Sequence, residues 1–198
     1  MKLLLTSAGF FNKEVSDTFL SLLDKPTGQI HIIFIPTASR TEHELRYVRE
    51  SRQELINLGI THITTLNLDH EVAAKEINNA DVIYVCGGNT FYLLQKMRES
   101  GLDLLLPSFC GLYVGVSAGS IVVGPNVEVS GPWDDNDMNL SDTTGLKIVD
   151  FAVIPHYQRK DQAVVADLKN QANYEIMELT DNQAVLVENG EKTIIGLP

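Results

Sequence analysis

At 198 residues, 44% hydrophobic and 21% charged, the chain is sized and composed for one α/β domain spanning 1–198, and disorder or a fibrous repeat fits it poorly. Fifteen Lys and Arg against 26 Asp and Glu leave a formal charge of −11; with no basic run interleaved with aromatics, this argues against a nucleic-acid partner, and most of the charge reads as solubility. The opening "MKLLLTSAGFFNKEV" is too brief for a signal h-region and no run approaches the ~20 apolar residues that span a bilayer, so no membrane association and a cytoplasmic location are expected.

In chain order, short apolar runs rich in β-branched residues alternate with amphipathic stretches. "KLLLTS" precedes a helical pattern over 14–23, "IHIIFIPTA" one over 42–58, and "ITTLNL" and "DVIYVCGG" one over 90–99. "LYVGVS" and "FAVIPHY" are the later runs. This order predicts βαβ units and a three-layer, doubly wound, mostly parallel sheet with helices on both faces. Cys86 and Cys110 both fall in apolar runs that read as buried strands, so no disulfide and a reducing compartment are expected.

Ligands of such sheets collect at the carboxyl ends of the strands, here "TSAGF", "PTASR", "CGGNTF", "VSAGS" and "PHYQR". After Gly124 the pattern changes to short strands and turns. An acidic segment from Gly131 to Gly145 reads as a mostly solvated loop, and the tail "YEIMELTDNQAVLVENGEKTIIGL" as two or three antiparallel strands with "ENGE" as a hairpin turn.

Gly115-Val116-Ser117-Ala118-Gly119 has the Gly-x-Ser-x-Gly form of a nucleophile elbow, a strand-to-helix turn so tight that the residues two before and two after the serine must be small. A Gly/Ser-rich turn with no chemistry is the alternative. A serine nucleophile needs a base at the same sheet edge. Of the five histidines, only His156 follows an apolar strand at its carboxyl end; His31 sits inside a strand, and His43, His62 and His70 have surface-like contexts. A carboxylate to orient the imidazole comes either from Asp181 or from the cluster Asp134, Asp135 and Asp137, because triads occur in unrelated chain orders. Ala118 N–H is one candidate oxyanion donor, and the glycines Gly87 and Gly88 let a second come close. Asn89 and Thr90 would cap the following helix. No P-loop lysine or G-x-G-x-x-G is present, and the histidines and carboxylates are too scattered for a zinc site, so neither cofactor nor metal is expected.

"CGGNTFYLL" (86–94), "GVSAGS" (115–120) and "IPHY" (154–157), in this order and spacing, resemble peptidase E, the aspartyl dipeptidase family of serine peptidases related to cyanophycinase. The resemblance covers essentially the whole chain. It implies a fold similar to class I glutamine amidotransferases, and so flavodoxin-like, with a few antiparallel C-terminal strands. It also implies hydrolysis of small peptides with Ser117 as nucleophile, His156 as base and Gly88 and Ala118 as oxyanion donors. The third member corresponds either to Asp181 or to Asp134; Asp181 is favoured because a short carboxylate beginning a strand is better fixed than one in an acidic loop. Asn89, Thr90 and Arg159 are candidate substrate contacts. The sequence departs from the family at Cys86, where a glycine is usual, and after "PHY", where the Arg-containing stretch that would bind a substrate aspartate is lacking. Arg159 is the nearest replacement in charge, and a strict N-terminal aspartate requirement is not implied. Another serine hydrolase or a non-catalytic binding module on the same fold are the rival readings, and the chain is expected as a monomer or homodimer.

Overall fold

The computed structural model describes residues 1–198. Its centre is a seven-stranded sheet in the order β3-β2-β4-β5-β1-β8-β9, built from β1 (Lys2–Thr6), β2 (His31–Ile35), β3 (His62–Thr65), β4 (Val82–Val85), β5 (Leu112–Val116), β8 (Ala184–Glu188) and β9 (Glu191–Ile195). The first five are mutually parallel; β8 runs antiparallel to β1, and β9 antiparallel to β8. Strands β4 and β5 are buried at every residue, as strands covered on both faces must be, whereas β3 at the edge is largely exposed.

Successive side chains of a strand point to opposite faces, and the two hydrophobic cores divide accordingly. Leu4, Ile32, Phe34, Tyr84 and Val114 belong to one core, with Phe19 of α1 (Lys13–Ser21) and Leu55 of α2 (Glu42–Asn57). Leu3, Leu5, Ile33, Ile83 and Tyr113 belong to the other, with Leu93, Leu94 and Met97 of α4 (Thr90–Glu99) and Val165 of α7 (Gln162–Gln171). Three short helices, α3 (Ala74–Ile77), α5 (Leu102–Leu105) and α6 (Ala118–Ile121), complete the layers. The long helices start where their caps dictate: Asn12 Oδ1 accepts Glu14 N–H, Asn89 Oδ1 accepts Tyr92 N–H, and Thr41 with Glu44 forms a reciprocal capping box.

The α/β architecture is the expected one, with two local differences. "FAVI" forms β6 (Phe151–Ile154) outside the main sheet, pairing in parallel with β7 (Glu175–Glu178). Strand β1 already has β5 on one side and the β8–β9 hairpin on the other, so β6 packs against α6 instead, and only β8 and β9 of the tail are antiparallel. The "ENGE" turn does close that hairpin, with Asn189 and Gly190 both at positive φ. Second, Cys110 is exposed, because it lies in the loop before β5 rather than in the strand; Cys86 is buried, and both thiols are free. The acidic segment is mostly exposed, as expected, and is also tied at its surface: Arg40 pairs with Asp137 at 2.8 Å, and Arg98 with Asp142 at 3.1 Å.

Helix α2 is tethered by few residues, and Leu55 is its one fully buried side chain. Leu55→Ala is expected to cost about 3 kcal/mol in chemical unfolding. A loss below about 1 kcal/mol would mean that α2 is held by something other than this contact.

Candidate active site

The first, second, fourth and fifth strands end at one edge of the sheet, and their following residues converge there. Thr6 pairs with Val116, which sets Ser7 beside Ser117. Ser117 N–H donates to Thr6 O at 3.1 Å, and the buried Ser120 hydroxyl lies 2.8 Å from both Thr6 O and Gly115 O. Ser117 itself is strained, with φ 50° and ψ −111°. A methyl group at Gly115 would lie 2.5 Å from Gly119 O, and one at Gly119 only 2.4 Å from Val85 O, so both flanking positions admit no side chain. The helix that follows the serine, α6, is a single turn.

His156 follows β6 and also has positive φ, 57°. Its Nε2 is 3.1 Å from Ser117 Oγ and its Nδ1 is 2.6 Å from Asp181 Oδ1. Ser7 braces this pair: its hydroxyl accepts His156 N–H at 2.7 Å and donates to Asp181 Oδ1 at 3.3 Å. Both rims of the pair are half exposed to solvent. The remaining histidines are occupied or placed elsewhere; His31, for example, bonds Asn79 O and Thr64 Oγ1.

Asp134 stands apart from this chain of contacts. Its Oδ2 accepts both the N–H and the hydroxyl of Thr90, at 2.9 and 2.5 Å, at the start of α4. Burial holds its carboxyl above the usual range, against the lowering effect of the Thr90 bonds. Asn89 and Thr90 are buried and directed inward, Asn89 bonding Tyr92 N–H and Asp135 O, so the polar groups expected to meet a substrate are used within the fold. Arg159 is exposed and lines neither cavity beside the serine. Gly88 has φ 135°, and a methyl group there would lie 2.1 Å from Ala38 O, so the loop after β4 is pressed against the loop after β2. The N–H groups of Gly88 and Ala118 take no part in the hydrogen bonds that hold the surrounding loops.

Two cavities open beside Ser117 and His156. One, of about 590 Å³, is also lined by Gly87, Gly88 and the inward side of α2; the other, of about 240 Å³, by Trp133, Asp134 and Lys160. No group of three or more His, Cys, Asp or Glu is placed to hold a metal ion, and no helix is long and apolar enough to cross a membrane. Local pattern had no signal for Ser7 as a brace or for α2 as a cavity wall, since both depend on strand order.

Residues 3–195 match the model of Peptidase family S51. The chain belongs to this family. It is therefore a serine-type peptidase, as its three motifs suggested. Similar proteins include an uncharacterized peptidase of Listeria innocua, 33% identical over 96% of this chain and 95% of its own length, and one of Pasteurella multocida, 33% identical over 99% and 98%. Peptidase E of Escherichia coli is 31% identical over 86% of this chain and 71% of its own. The crystal structure of a "Putative Peptidase E Protein" from Listeria monocytogenes EGD-e superposes with a TM-score of 0.84 at 30% identity, covering 100% of this S51 chain and 98% of that one.

Two measurements follow from the site's packing. Gly88→Ala is expected to destabilise the fold by about 2 kcal/mol or more, whereas Gly28→Ala, which has open space and ordinary φ, should be near neutral; equal melting temperatures for the two would refute the close approach of the loops. Because the folded-state pKa of Asp134 is raised, its contribution to stability is present at low pH and is lost as pH rises through that value. Asp134→Asn should therefore gain on the wild type in melting temperature between about pH 3 and pH 6, and a constant difference would contradict the direction of the shift.

Proposed function

We propose that Ser117, His156 and Asp181 form a catalytic triad that hydrolyses small peptides, dipeptides among them, through an acyl-enzyme. The observation that carries this reading is the continuous contact Ser117 Oγ, His156 Nε2, His156 Nδ1, Asp181 Oδ1, at 3.1 and 2.6 Å, on a strained turn at the end of β5. His156 takes the serine proton as Ser117 Oγ attacks the peptide carbonyl carbon. The resulting oxyanion is met by the N–H groups of Gly88 and Ala118, which nothing in the surrounding loops uses. His156 then gives the proton to the leaving amine, and water, deprotonated by the same imidazole, releases the acyl group.

Asp181, rather than Asp134, is the orienting acid in this reading, since it alone of the two bonds the imidazole. Its exposed carboxylate contributes mainly by holding Nδ1 protonated, so that Nε2 faces the serine as an acceptor. Ser7 is a positioning residue: it fixes the backbone of His156 and the carboxylate of Asp181 at once. The proposed protein is cytoplasmic and acts on a peptide with no cofactor.

Labelling with a fluorophosphonate, read by intact mass, tests the triad. The wild type should be labelled once, Ser117→Ala and His156→Ala not at all, and Asp181→Asn about 10³-fold more slowly, while Asp134→Asn stays within about threefold of wild type. Labelling that survives Ser117→Ala, or that falls with Asp134→Asn and not with Asp181→Asn, would overturn the assignment.

A further inference from the structure

The larger cavity beside Ser117 carries a charge pattern that the proposed mechanism does not use. Four carboxylates line it, Glu44, Glu50, Glu54 and Asp181, with Arg46 as the lone cation. Three of the four are accounted for. Glu44 accepts the N–H groups of Arg40 and Thr41 in the cap of α2, Glu50 pairs with Arg46 at 2.8 Å, and Asp181 is bonded to His156. Glu54 has only the N–H of Phe10, at 3.3 Å, and no ion pair. The other arginines of α2 are turned away: Arg49 pairs with Glu42, and Arg52 bonds Thr65 Oγ1 and Ile63 O.

Glu54 is half buried, and burial raises its carboxyl above the usual range, so the fold retains there an acid that water serves poorly. A second polar group is held behind it. The hydroxyl of Tyr84, on the central strand β4, is fully buried and makes no hydrogen bond of good geometry. A methyl group placed on Gly9 would lie 3.3 Å from that hydroxyl, 3.4 Å from Glu54 Oε2 and 3.9 Å from Ser51 Oγ. Three oxygens thus lie within 4 Å of one point beside Gly9, two of them on residues that line the cavity. Native folds leave few such groups unmet, and each one needs a reason. At the solvent end stand Phe11 and Tyr47, 73% and 53% exposed, aromatic faces suited to the stem or charge of a long cationic side chain.

We propose that this cavity is a specificity pocket for a basic side chain, lysine or arginine, on the residue whose carbonyl Ser117 attacks, with Glu54 as the charge partner. The inference rests on the reading of Ser117 as nucleophile. It deepens that reading by naming a substrate class, peptides with a basic acyl-side residue. An aspartate side chain in the same place would meet carboxylates and a single arginine already paired.

The experiment separates binding from catalysis by using Ser117→Ala, which lacks the proposed nucleophile, with the peptide recovered afterwards and checked to be intact. Calorimetry on this variant compares lysyl-leucine with norleucyl-leucine, which carries the same free amine and a neutral side chain, and with aspartyl-leucine. Lysyl-leucine should bind about tenfold or more tightly than norleucyl-leucine, and aspartyl-leucine most weakly. Adding Glu54→Gln should cut the lysine preference about tenfold, and Glu50→Gln, at an exposed position where folding is not at issue, should reduce it in the same direction by about threefold. Equal binding of the lysyl and norleucyl peptides, tighter binding of the aspartyl peptide, or a preference untouched by either substitution would each overturn the pocket assignment. Hydrolysis of lysyl-leucine by the wild type reports separately on the mechanism. A wild type that binds with the predicted preference yet neither hydrolyses the peptide nor takes a fluorophosphonate would sink the triad and leave the pocket standing.

Discussion

The pairing of β1 with β5 is the constraint on which the site depends. With Thr6 opposite Val116, the two strands end level, and the next residue of each, Ser7 and Ser117, emerges at the same edge. Buried hydroxyls lock this register: Thr6 Oγ1 donates to Gly115 O at 3.0 Å, and Ser120 Oγ lies within 2.8 Å of carbonyls on both strands. In a low-dielectric interior such bonds are expensive to break, and a slip by one residue would send every side chain of β1 to the wrong core. Because Ser7 bonds both the backbone of His156 and the carboxylate of Asp181, one strand pairing sets the mutual position of residues 117, 156 and 181.

Around this frame the walls of the site come from other elements. The loops after β2 and β4 touch so closely at Ala38 and Gly88 that no side chain fits between them, which fixes the backbone of Gly88 beside the serine. Helix α2 is held by its one fully buried leucine and by bonds from Arg52 to β3 and from Phe10 N–H to Glu54, and it supplies the charged side of the cavity. A site divided in this way can vary its cavity wall by substitutions on an exposed helix while Ser117, at the end of a buried strand, stays where it is.

The acidic segment 131–145 is the mostly exposed loop that its composition implies, with a few well-placed tertiary contacts that composition does not reveal. Its charges are what a solvated loop carries, yet Asp134 caps α4 through Thr90, Asp135 O takes the Asn89 amide, and Arg40 and Arg98 clamp Asp137 and Asp142. Exposed pairs of this kind are individually weak, and the half-buried carboxylate of Asp134 is the segment's firmest polar anchor.

Much of this was legible in the sequence because it is written in local pattern. Alternation of β-branched runs with amphipathic stretches implies the parallel sheet, small residues around Ser117 imply a turn that admits no side chain, and Asn-Gly implies the β8–β9 hairpin. The three motifs carry the family resemblance by themselves. What local pattern lacks is strand order. It could not say that the β8–β9 hairpin would occupy the edge of β1 and leave β6 to pair in parallel with β7, nor that Cys110 would fall just outside its strand. For the same reason it left Asp181 and Asp134 as rivals, and only the folded chain brings Asp181 to the imidazole while turning Asp134 to Thr90. The tight turn at Ser117 is a property of a short segment, fixed by sterics over a few bonds. Which acid meets which base, and which carboxylate is left without a partner, depends on contacts across more than a hundred residues and was decided only by the packing of sheet, helix and loop.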